Sequence, residues 1–376
     1  MTADNIPRVE RLAWRDHLVR EIALPKRRLT VTLGLGSGLT RRPNDPPGRL
    51  WAIGDRGPNL KIPLAVDRYG LTELEPLRDR RGAKVLPAPD IGPTLCEIEV
   101  GEHAVELIRQ LPLTCRGRPI SGLPPGGTEE ALVEPAFDIH GAQLANDPDG
   151  ADTEGVLALT DGSFWVSDEY GPSLVKVGAD GEVLHRWTPR GGRVAGAGVA
   201  TKGVLPAIAR TRRLNRGFEA VAGTPDGETL HVIFQSALDG EDRHQTRLWE
   251  LDGQSGKRRR EFLYPFDRPE SFRRDAELGE VHARDLKICD LCWLAPDRLL
   301  VLERISRSCK VHHVHLTGQR LHKTLVFDSD EHRDVAGDLE GMAVLNGRDL
   351  ILVNDNDFGT EGAHTAFFRI RFKDPL

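Results

Sequence analysis

Residues 152–169 read DTEGVLALTDGSFWVSDE, and this stretch decides the fold. Two apolar runs flank the dipeptide Asp161-Gly162, which supplies the backbone angles that a tight β-hairpin needs. Acidic Glu154 stands at the start of the first run, and Asp168 ends the second run. Because the two strands of a hairpin are antiparallel, both acidic positions are expected at the same end of the hairpin.

The same phrase recurs along the chain. The other copies are residues 37–55, 217–235, 287–303 and 338–355. The last of them reads DLEGMAVLNGRDLILVND and turns at Asn346-Gly347. Further strand-like runs follow several copies, so that each repeat holds about four strands, as a propeller blade does.

The number of blades depends on the interval between Asp55 and Glu154, which is longer than the other gaps and contains a strand-like run at 94–100. We predict a divergent blade there, and therefore an all-β fold with a single β-propeller of six blades, with seven as the alternative. Residues 1–28 are expected to form an N-terminal extension or closing strand. Residues 29–376 are expected to form the propeller, whose irregular blade with an insertion covers residues 76–150.

Composition narrows the class of protein. The chain has 376 residues, 29% of them charged, and its net charge of −6 argues against a nucleic-acid partner. The N-terminal residues contain no apolar signal core, no run is long enough to span a membrane, and there are five cysteines. We therefore expect a soluble, cytoplasmic monomer with reduced cysteines, whose partner is a small molecule rather than a membrane or a nucleic acid.

The recurring polar residues form two predicted circles at one mouth of the central channel, because each blade contributes to both. The first circle contains Glu154, Glu219, Asp290 and Glu340. The second contains Asp55, Asp168, Gln235, Glu303 and Asp355, and Asn354 and Arg304 lie beside it.

So many carboxylates in one place repel each other unless a cation lies between them. Ligands that are all oxygen favour calcium, with magnesium or manganese as alternatives. The strongest candidates for metal ligands are Glu154, Glu219 and Glu340, joined by Asp168 and Asp355. The competing interpretation is that acidic residues at strand ends cap backbone amides and bind nothing.

The phrase 168–172, Asp-Glu-Tyr-Gly-Pro, together with Glu154-Gly155, resembles the phytase-like family described by esterase-like activity of phytase. The segments 55–58, 215–219 and 338–341 fit the same family. The chain is more distantly similar to the gluconolactonase and paraoxonase propellers. The resemblance implies a propeller, exported in many members, that hydrolyses esters or phosphoesters. We expect the chain to differ from the family in having no signal segment, and it has Cys289 where members tend to have Glu.

Two functions follow as hypotheses. The first is a metal-dependent hydrolase of esters or phosphate esters, in which Asp168 or Glu169 is the general base and Arg56 and Arg304 hold an anionic substrate. The alternative is a non-enzymatic propeller that binds a ligand or a protein and carries a structural calcium ion. The fold alone does not choose between them.

Overall fold

The hairpins of the repeated phrase form the first two strands of five β-sheets in the computed structural model, which describes residues 7–126, 133–192 and 194–376. The strands up to the end of the first blade are β1 (Arg8–Leu12), β2 (Leu18–Ala23), β3 (Arg28–Thr32), β4 (Gly38–Thr40), β5 (Arg49–Ile53), β6 (Leu60–Lys61), β7 (Lys84–Val85), β8 (Thr94–Val100) and β9 (Val105–Pro112). The next strands are β10 (Thr114–Cys115), β11 (Arg118–Pro119), β12 (Ala136–Phe137), β13 (Thr153–Ala158), β14 (Phe164–Asp168), β15 (Ser173–Val177), β16 (Val183–Pro189) and β17 (Thr201–Leu205).

The second half of the chain continues the same pattern of sheets. Its strands are β18 (Phe218–Gly223), β19 (Thr229–Phe234), β20 (Gln245–Asp252), β21 (Arg258–Pro265), β22 (Lys287–Ala295), β23 (Arg298–Arg304), β24 (Cys309–His315), β25 (His322–Asp328), β26 (Leu339–Val344), β27 (Asp349–Asn354) and β28 (Phe367–Arg371). The α-helices are α1 (Ile62–Tyr69) and the single turn α2 (Arg273–Ala276). Short 3-10 turns lie at Thr72–Leu77, Ala207–Thr211, Pro269–Ser271, Ala283–Asp285, Ser329–Glu331 and Asp357–Gly359.

The first strands of the five sheets contact one another in a closed ring around the channel. These inner strands are β4, β13, β18, β22 and β26, and β4 contacts both β13 and β26. The blades have the strand orders β4-β5-β8-β9, β13-β14-β15-β16-β17, β18-β19-β20-β21, β22-β23-β24-β25 and β26-β27-β28-β1. The chain is thus a β-propeller, with five blades in the described residues instead of the six or seven predicted.

The predicted sixth blade is absent from these residues because its strands belong to the first blade. Strand β8 pairs antiparallel with β5, and Trp51 lies opposite Glu97. An insertion that contains β6, α1 and β7 separates the two strands in the sequence. The N-terminal strand β1 pairs with β28 and supplies the outer strand of the last blade.

A β-bulge interrupts the inner strand of four blades at the same place. The register shifts lie between Thr153 and Val156, Phe218 and Ala220, Ile288 and Asp290, and Leu339 and Gly341. The residues at these shifts are Glu154, Glu219, Cys289 and Glu340. Bulges re-aim side chains beside sites. This one explains why Glu154, Glu219 and Glu340 face the channel mouth, whereas in the fourth blade Cys289 is the residue at the bulge.

The glycine after the acidic residue reflects how closely the inner strands approach. A Cβ on Gly155 would lie 2.7 Å from the Cα of Ala220 in the next blade. A Cβ on Gly38 would lie 2.5 Å from the carbonyl oxygen of Glu154. These separations exclude any side chain, so the Glu-Gly phrase results from packing as well as from the site.

Asp290 lies inside the channel and joins three blades. Its Oδ2 accepts hydrogen bonds from the backbone N–H groups of Leu39 in β4, at 3.2 Å, and Met342 in β26, at 2.7 Å. Its Oδ1 accepts from the N–H of Leu291 in its own strand at 2.8 Å. The carboxylate is completely buried, and burial raises its pKa well above the usual value.

Asp290→Ala is expected to lower the free energy of unfolding by about 2–4 kcal/mol, because two inner strands would keep buried N–H groups without an acceptor. Urea denaturation of the variant and the wild type measures this difference. Asp67→Ala is the matched control, since it breaks an exposed ion pair with Arg78 and is expected to cost less than about 1 kcal/mol. Equal losses in the two variants would contradict the bridging role of Asp290.

Candidate active site at the channel mouth

The channel opens at one end into a polar cavity of about 330 Å³, which we call the acidic mouth. Nine carboxylates and five basic side chains line it. The inner strands begin at this end, so that the bulge residues Glu154, Glu219 and Glu340 lie on the wall. Asp55 and Asp355 follow the second strands of their blades and also line the cavity, as predicted from the hairpin register.

One cluster at the acidic mouth contains Asp152, Glu154 and Glu169. Each residue offers a carboxylate oxygen, and the three oxygens lie within 4.8 Å of one another. All three side chains are buried. Oε1 of Glu169 has no hydrogen-bond partner among the residues that the structure describes. The cluster therefore holds negative charge that its hydrogen bonds do not fully compensate.

The pKa values of this cluster reflect that crowding. Burial, followed by the carboxylates of Glu219 and Asp152, raises the pKa of Glu154 well above the usual value. Burial also raises the pKa of Glu169, although Arg56 and Arg216 act in the opposite direction. Carboxylates with raised pKa values tend to take up protons, and a metal ion would compete for the same oxygens.

Arg56 supplies positive charge to this cluster, but both of its Nη atoms are already paired, and only Nε lacks a partner in the described residues. Nη2 lies 2.6 Å from Oδ2 of Asp152 and donates to Oδ1 of Asn215, also at 2.6 Å. Nη1 forms an ion pair with Glu134, and the guanidinium lies 4.9 Å from the ring centre of Tyr170. Arg56 therefore positions Asp152 through Nη2, which argues against the predicted role of holding an anionic substrate.

A second cluster lies across the cavity. Glu219, Cys289 and Glu340 place ligand atoms within 4.8 Å of one another. Arg304 donates from Nε to Sγ of Cys289 at 3.0 Å and forms an ion pair with Glu340. Its Nη1 lies 2.7 Å from Oδ1 of Asp338. This cluster thus contains its own cation. The prediction that Arg304 holds an anionic substrate is therefore corrected, because its guanidinium is paired within the fold.

The structure divides the predicted metal ligands between the two clusters, so Glu154 is grouped with Asp152 and Glu169 rather than with Glu219 and Glu340. Gln235 lines the cavity as expected, and its Nε2 donates to Oε2 of Glu219 at 2.6 Å.

Asp55 and Asp355 have matching local structures. Oδ1 of Asp55 accepts from the N–H of Gly57 at 3.1 Å, and Oδ1 of Asp355 accepts from the N–H of Asp357 at 3.0 Å. Burial raises the pKa of Asp55 to about 7, opposed by Arg56 and reinforced by Asp357. Desolvation, Asp357 and Glu340 raise the pKa of Asp355 well above its usual value. A pKa of about 7 suits Asp55 to exchange a proton near neutral pH.

Two lysines at the acidic mouth form no ion pair with a carboxylate in the described part of the chain. Nζ of Lys84 donates to Oδ1 of Asn59 at 3.3 Å, and Lys287 lies near Arg304. Burial and Arg56 lower the pKa of Lys84, whereas Arg304 and then burial lower the pKa of Lys287. These ammonium groups, rather than the two arginines, are the cations open to an anionic ligand.

Asp168 is not at the acidic mouth. Its Oδ1 accepts from the N–H groups of Asp152 and Tyr170, at 3.0 and 3.2 Å, and its Oδ2 accepts from Oγ of Ser173 at 2.7 Å. Asp168 is thus a structural residue that holds the start of β13 and the turn after β14. The predictions that it is a metal ligand or a general base are corrected, because both oxygens are bonded within the blade.

Three further residues predicted at the mouth lie elsewhere. Asp290 is inside the channel, because the bulge moves Cys289 into the equivalent position. Glu303 is completely buried within the fourth blade, where Oε2 accepts from Tyr264 at 2.8 Å and lies 2.6 Å from Nζ of Lys323. The amide of Asn354 bonds to the backbone of Asp355, His364 and Ala366.

Sequence reasoning missed Asp152, Glu134 and Cys289 as site residues. Asp152 could have been found, since Asp-x-Glu-Gly occurs at both 152–155 and 338–341. Cys289 precedes Asp290, which was the residue predicted from the sequence. Only the bulge determines that Cys289, and not Asp290, takes the position equivalent to Glu219 and Glu340. Glu134 lies outside the repeats, so that no pattern points to it.

Comparisons with known proteins agree with this fold. The model of the phytase-like family, described by esterase-like activity of phytase, matches residues 31–358. An uncharacterized secreted protein of Arthroderma benhamiae is 30% identical in an alignment of 237 residues, and the match covers 54% of this chain and 44% of that protein. The chain therefore matches less than half the length of that relative.

Solved structures resemble the chain only distantly. A gluconolactonase of Xanthomonas campestris is 10% identical with a TM-score of 0.39, and the match covers 98% of this chain and 97% of that one. A PQQ-bound aldose sugar dehydrogenase of Streptomyces coelicolor is also 10% identical, with a TM-score of 0.35 and coverage of 98% of both chains. These likenesses carry no information about the reaction.

The expectation of a cytoplasmic protein finds no support in these comparisons, since the Arthroderma relative is called secreted. In the described residues, no helix combines the length and the apolar character that a membrane crossing requires. All five cysteines are free thiols, and four of them are buried.

Proposed function

We propose that the chain is a hydrolase. The premise is that it belongs to the phytase-like family, described by esterase-like activity of phytase. Its substrate is an ester that carries negative charge, a phosphate ester included, and its site is the acidic mouth. A divalent cation, with calcium favoured and magnesium or manganese as alternatives, is the proposed cofactor. The observation that carries the proposal is the buried cluster of Asp152, Glu154 and Glu169.

The residues present fit a hard cation. The donors of the cluster are all carboxylate oxygens, which calcium, magnesium and manganese prefer. Oε1 of Glu169 is buried without a hydrogen-bond partner in the described residues, which is costly unless an ion satisfies it. Arg56 alone cannot neutralise three carboxylates, since it also forms an ion pair with Glu134. Asp152, Glu154 and Glu169 would therefore hold the cation.

When bound, the cation supplies Lewis-acid polarisation of a carbonyl or phosphoryl oxygen. The chain supplies the remaining functions. Arg56 fixes Asp152 through the ion pair at 2.6 Å. Lys84 and Lys287 hold the negative group of the substrate, because both line the cavity without a carboxylate partner in the described residues. Those two lysines support a charged substrate over a neutral one.

Asp55 is the proposed general base, on the strength of its position on the cavity wall. It takes a proton from the attacking water, whose oxygen forms a bond to the carbonyl carbon or to phosphorus. The bond from that atom to the alcohol oxygen then breaks, and Asp55 gives the proton to that oxygen as the alcohol leaves. The pKa of about 7 suits a group that must accept and return a proton.

Treatment with a chelator is expected to lower hydrolysis of two negatively charged esters, p-nitrophenyl phosphate and mono-p-nitrophenyl succinate, at least about tenfold, with recovery when one divalent cation is restored. Elemental analysis of the purified protein, followed by assays with calcium, magnesium and manganese in turn, measures this. The alternative, a non-enzymatic propeller with a structural calcium ion, predicts a lower melting temperature after chelation and no turnover of either substrate at any stage. Turnover that chelation leaves unchanged would contradict the metal-dependent mechanism.

A further inference from the structure

The end of the channel opposite the acidic mouth forms a second cavity of about 330 Å³, which we call the apolar mouth. The inner strands of all five blades end at it. Lining residues include Leu39, Val156, Val221, Leu291 and Ala343, one from each inner strand. Asp290 bonds β4, β22 and β26 together between the two ends. The apolar mouth is therefore separate from the proposed active site.

The side chains that line the apolar mouth carry positive charge without a matching negative side chain. Arg41 and Arg298 line it, and none of its described lining residues is aspartate or glutamate. Nε of Arg41 is buried without a hydrogen-bond partner in the described residues. Nε of Arg298 donates to Nε2 of His313 at 3.1 Å, and no ion pair forms between Arg298 and a carboxylate of the described chain. Two guanidinium groups thus line a cavity whose other side chains are mostly apolar, in a protein whose net charge is −6.

The neighbouring residue Arg42 shows that this arrangement is particular to Arg41. Arg42 donates to the carbonyl oxygens of Leu159 and Gly162, at 2.9 and 2.8 Å, and its guanidinium lies 5.0 Å from the ring centre of Trp51. Hydrogen bonds within the fold therefore satisfy Arg42, whereas Arg41 lines the cavity at the end of the channel.

We propose that the apolar mouth binds a small anionic amphiphile, with a carboxylate or phosphate head and a short apolar body. Arginine recognises both kinds of head through charge-assisted hydrogen bonds. The body would lie against the inner-strand side chains and the indole of Trp293, which also lines the cavity. A cavity of about 330 Å³ lies at the lower end of the range of small-molecule pockets.

Isothermal titration with sodium octanoate tests the proposal, with octan-1-ol as the uncharged probe and sodium acetate as the probe without an apolar body. We expect octanoate to bind at least about tenfold more tightly than either, since both the head and the body contribute. A chelator should leave this affinity unchanged, so that the result does not depend on the proposed hydrolase. Equal affinity for octanoate and octanol, or no binding of octanoate, would overturn the proposal.

Arg41→Gln and Arg298→Gln are each expected to weaken octanoate binding about tenfold, because each removes a charged donor. Arg284→Gln is the matched control, since Arg284 has a 63% exposed side chain and does not line the cavity. Arg41→Lys keeps the charge and should recover part of the affinity, which separates loss of charge from misfolding. Wild-type affinity in both glutamine variants would show that the octanoate lies elsewhere and would refute the assignment.

Discussion

Glu154→Gln is expected to lower kcat/KM for a charged ester substrate by about 100-fold or more, together with the content of bound divalent cation. Glutamine keeps the shape of the side chain but removes one of the three carboxylates in the cluster of Asp152, Glu154 and Glu169. The pKa of Glu154 is raised by burial and by neighbouring carboxylates, so the uncharged side chain relieves repulsion in the protein without the cation. Metal binding should therefore fall while the melting temperature measured in chelator stays the same or rises.

The matched control is Glu228→Gln. Glu228 is exposed in the hairpin turn of the third blade, at the end of the channel away from the acidic mouth. The same chemical change there should leave both metal content and kcat/KM at wild-type values. Elemental analysis measures the metal content of the two variants, and steady-state kinetics measure their kcat/KM. Full metal content and full activity in Glu154→Gln would place the cation elsewhere.

Most of the fold could be predicted from local sequence because turn chemistry marks each blade. The Asp-Gly dipeptide at 161–162 forms a tight turn in which Gly162 has a φ of 92°, and Oδ1 of Asp161 accepts from the N–H of Ser163 at 2.9 Å. The number of blades could not be predicted in the same way. Strands β5 and β8 pair across a long insertion, and no local pattern tells a strand that completes a distant sheet from one that begins its own.

The candidate site was predicted less completely, because its geometry depends on a bulge. Strict alternation of side chains along β22 gives no reason to prefer Cys289 to Asp290. The register shift between Ile288 and Asp290 places Sγ of Cys289 beside Glu219 and Glu340 and leaves Asp290 in the channel. One extra residue in a strand changes which face each neighbouring side chain occupies. No turn residue in the sequence indicates where the bulge lies.

Contacts between blades also explain why both arginines were misassigned. Arg56 follows the second strand of the first blade and pairs with Asp152, which precedes the inner strand of the second blade. Arg304 ends the second strand of the fourth blade and pairs with Asp338, which precedes the inner strand of the fifth. The same ion pair thus joins two pairs of neighbouring blades. Each ion pair joins an arginine to the aspartate of an Asp-x-Glu-Gly phrase in the next blade. The two residues are far apart in the sequence, so only the structure shows that they pair.

Asp55→Asn is expected to lower kcat by about 1,000-fold for the same substrate, because the proposed general base is lost. Asparagine can keep the hydrogen bond that Oδ1 of Asp55 accepts from the N–H of Gly57, so the turn after β5 should be preserved. Metal content and KM are expected to stay near wild type, since Asp55 is not among the three carboxylates proposed to hold the cation. Steady-state kinetics with elemental analysis of the same sample measure all three quantities.

Asp355→Asn gives the sharpest comparison for this role. Asp355 lines the same cavity and accepts the same kind of turn hydrogen bond, from the N–H of Asp357 at 3.0 Å. The guanidinium of Arg56 opposes the rise in the pKa of Asp55, whereas the charged neighbours that act most strongly on Asp355, Asp357 and Glu340, are both negative and raise its pKa, so that Asp55 is the more readily ionised of the two. The loss of kcat should therefore be much larger for Asp55→Asn. Equal losses would show that the two residues contribute only charge to the acidic mouth, and would remove Asp55 as the general base.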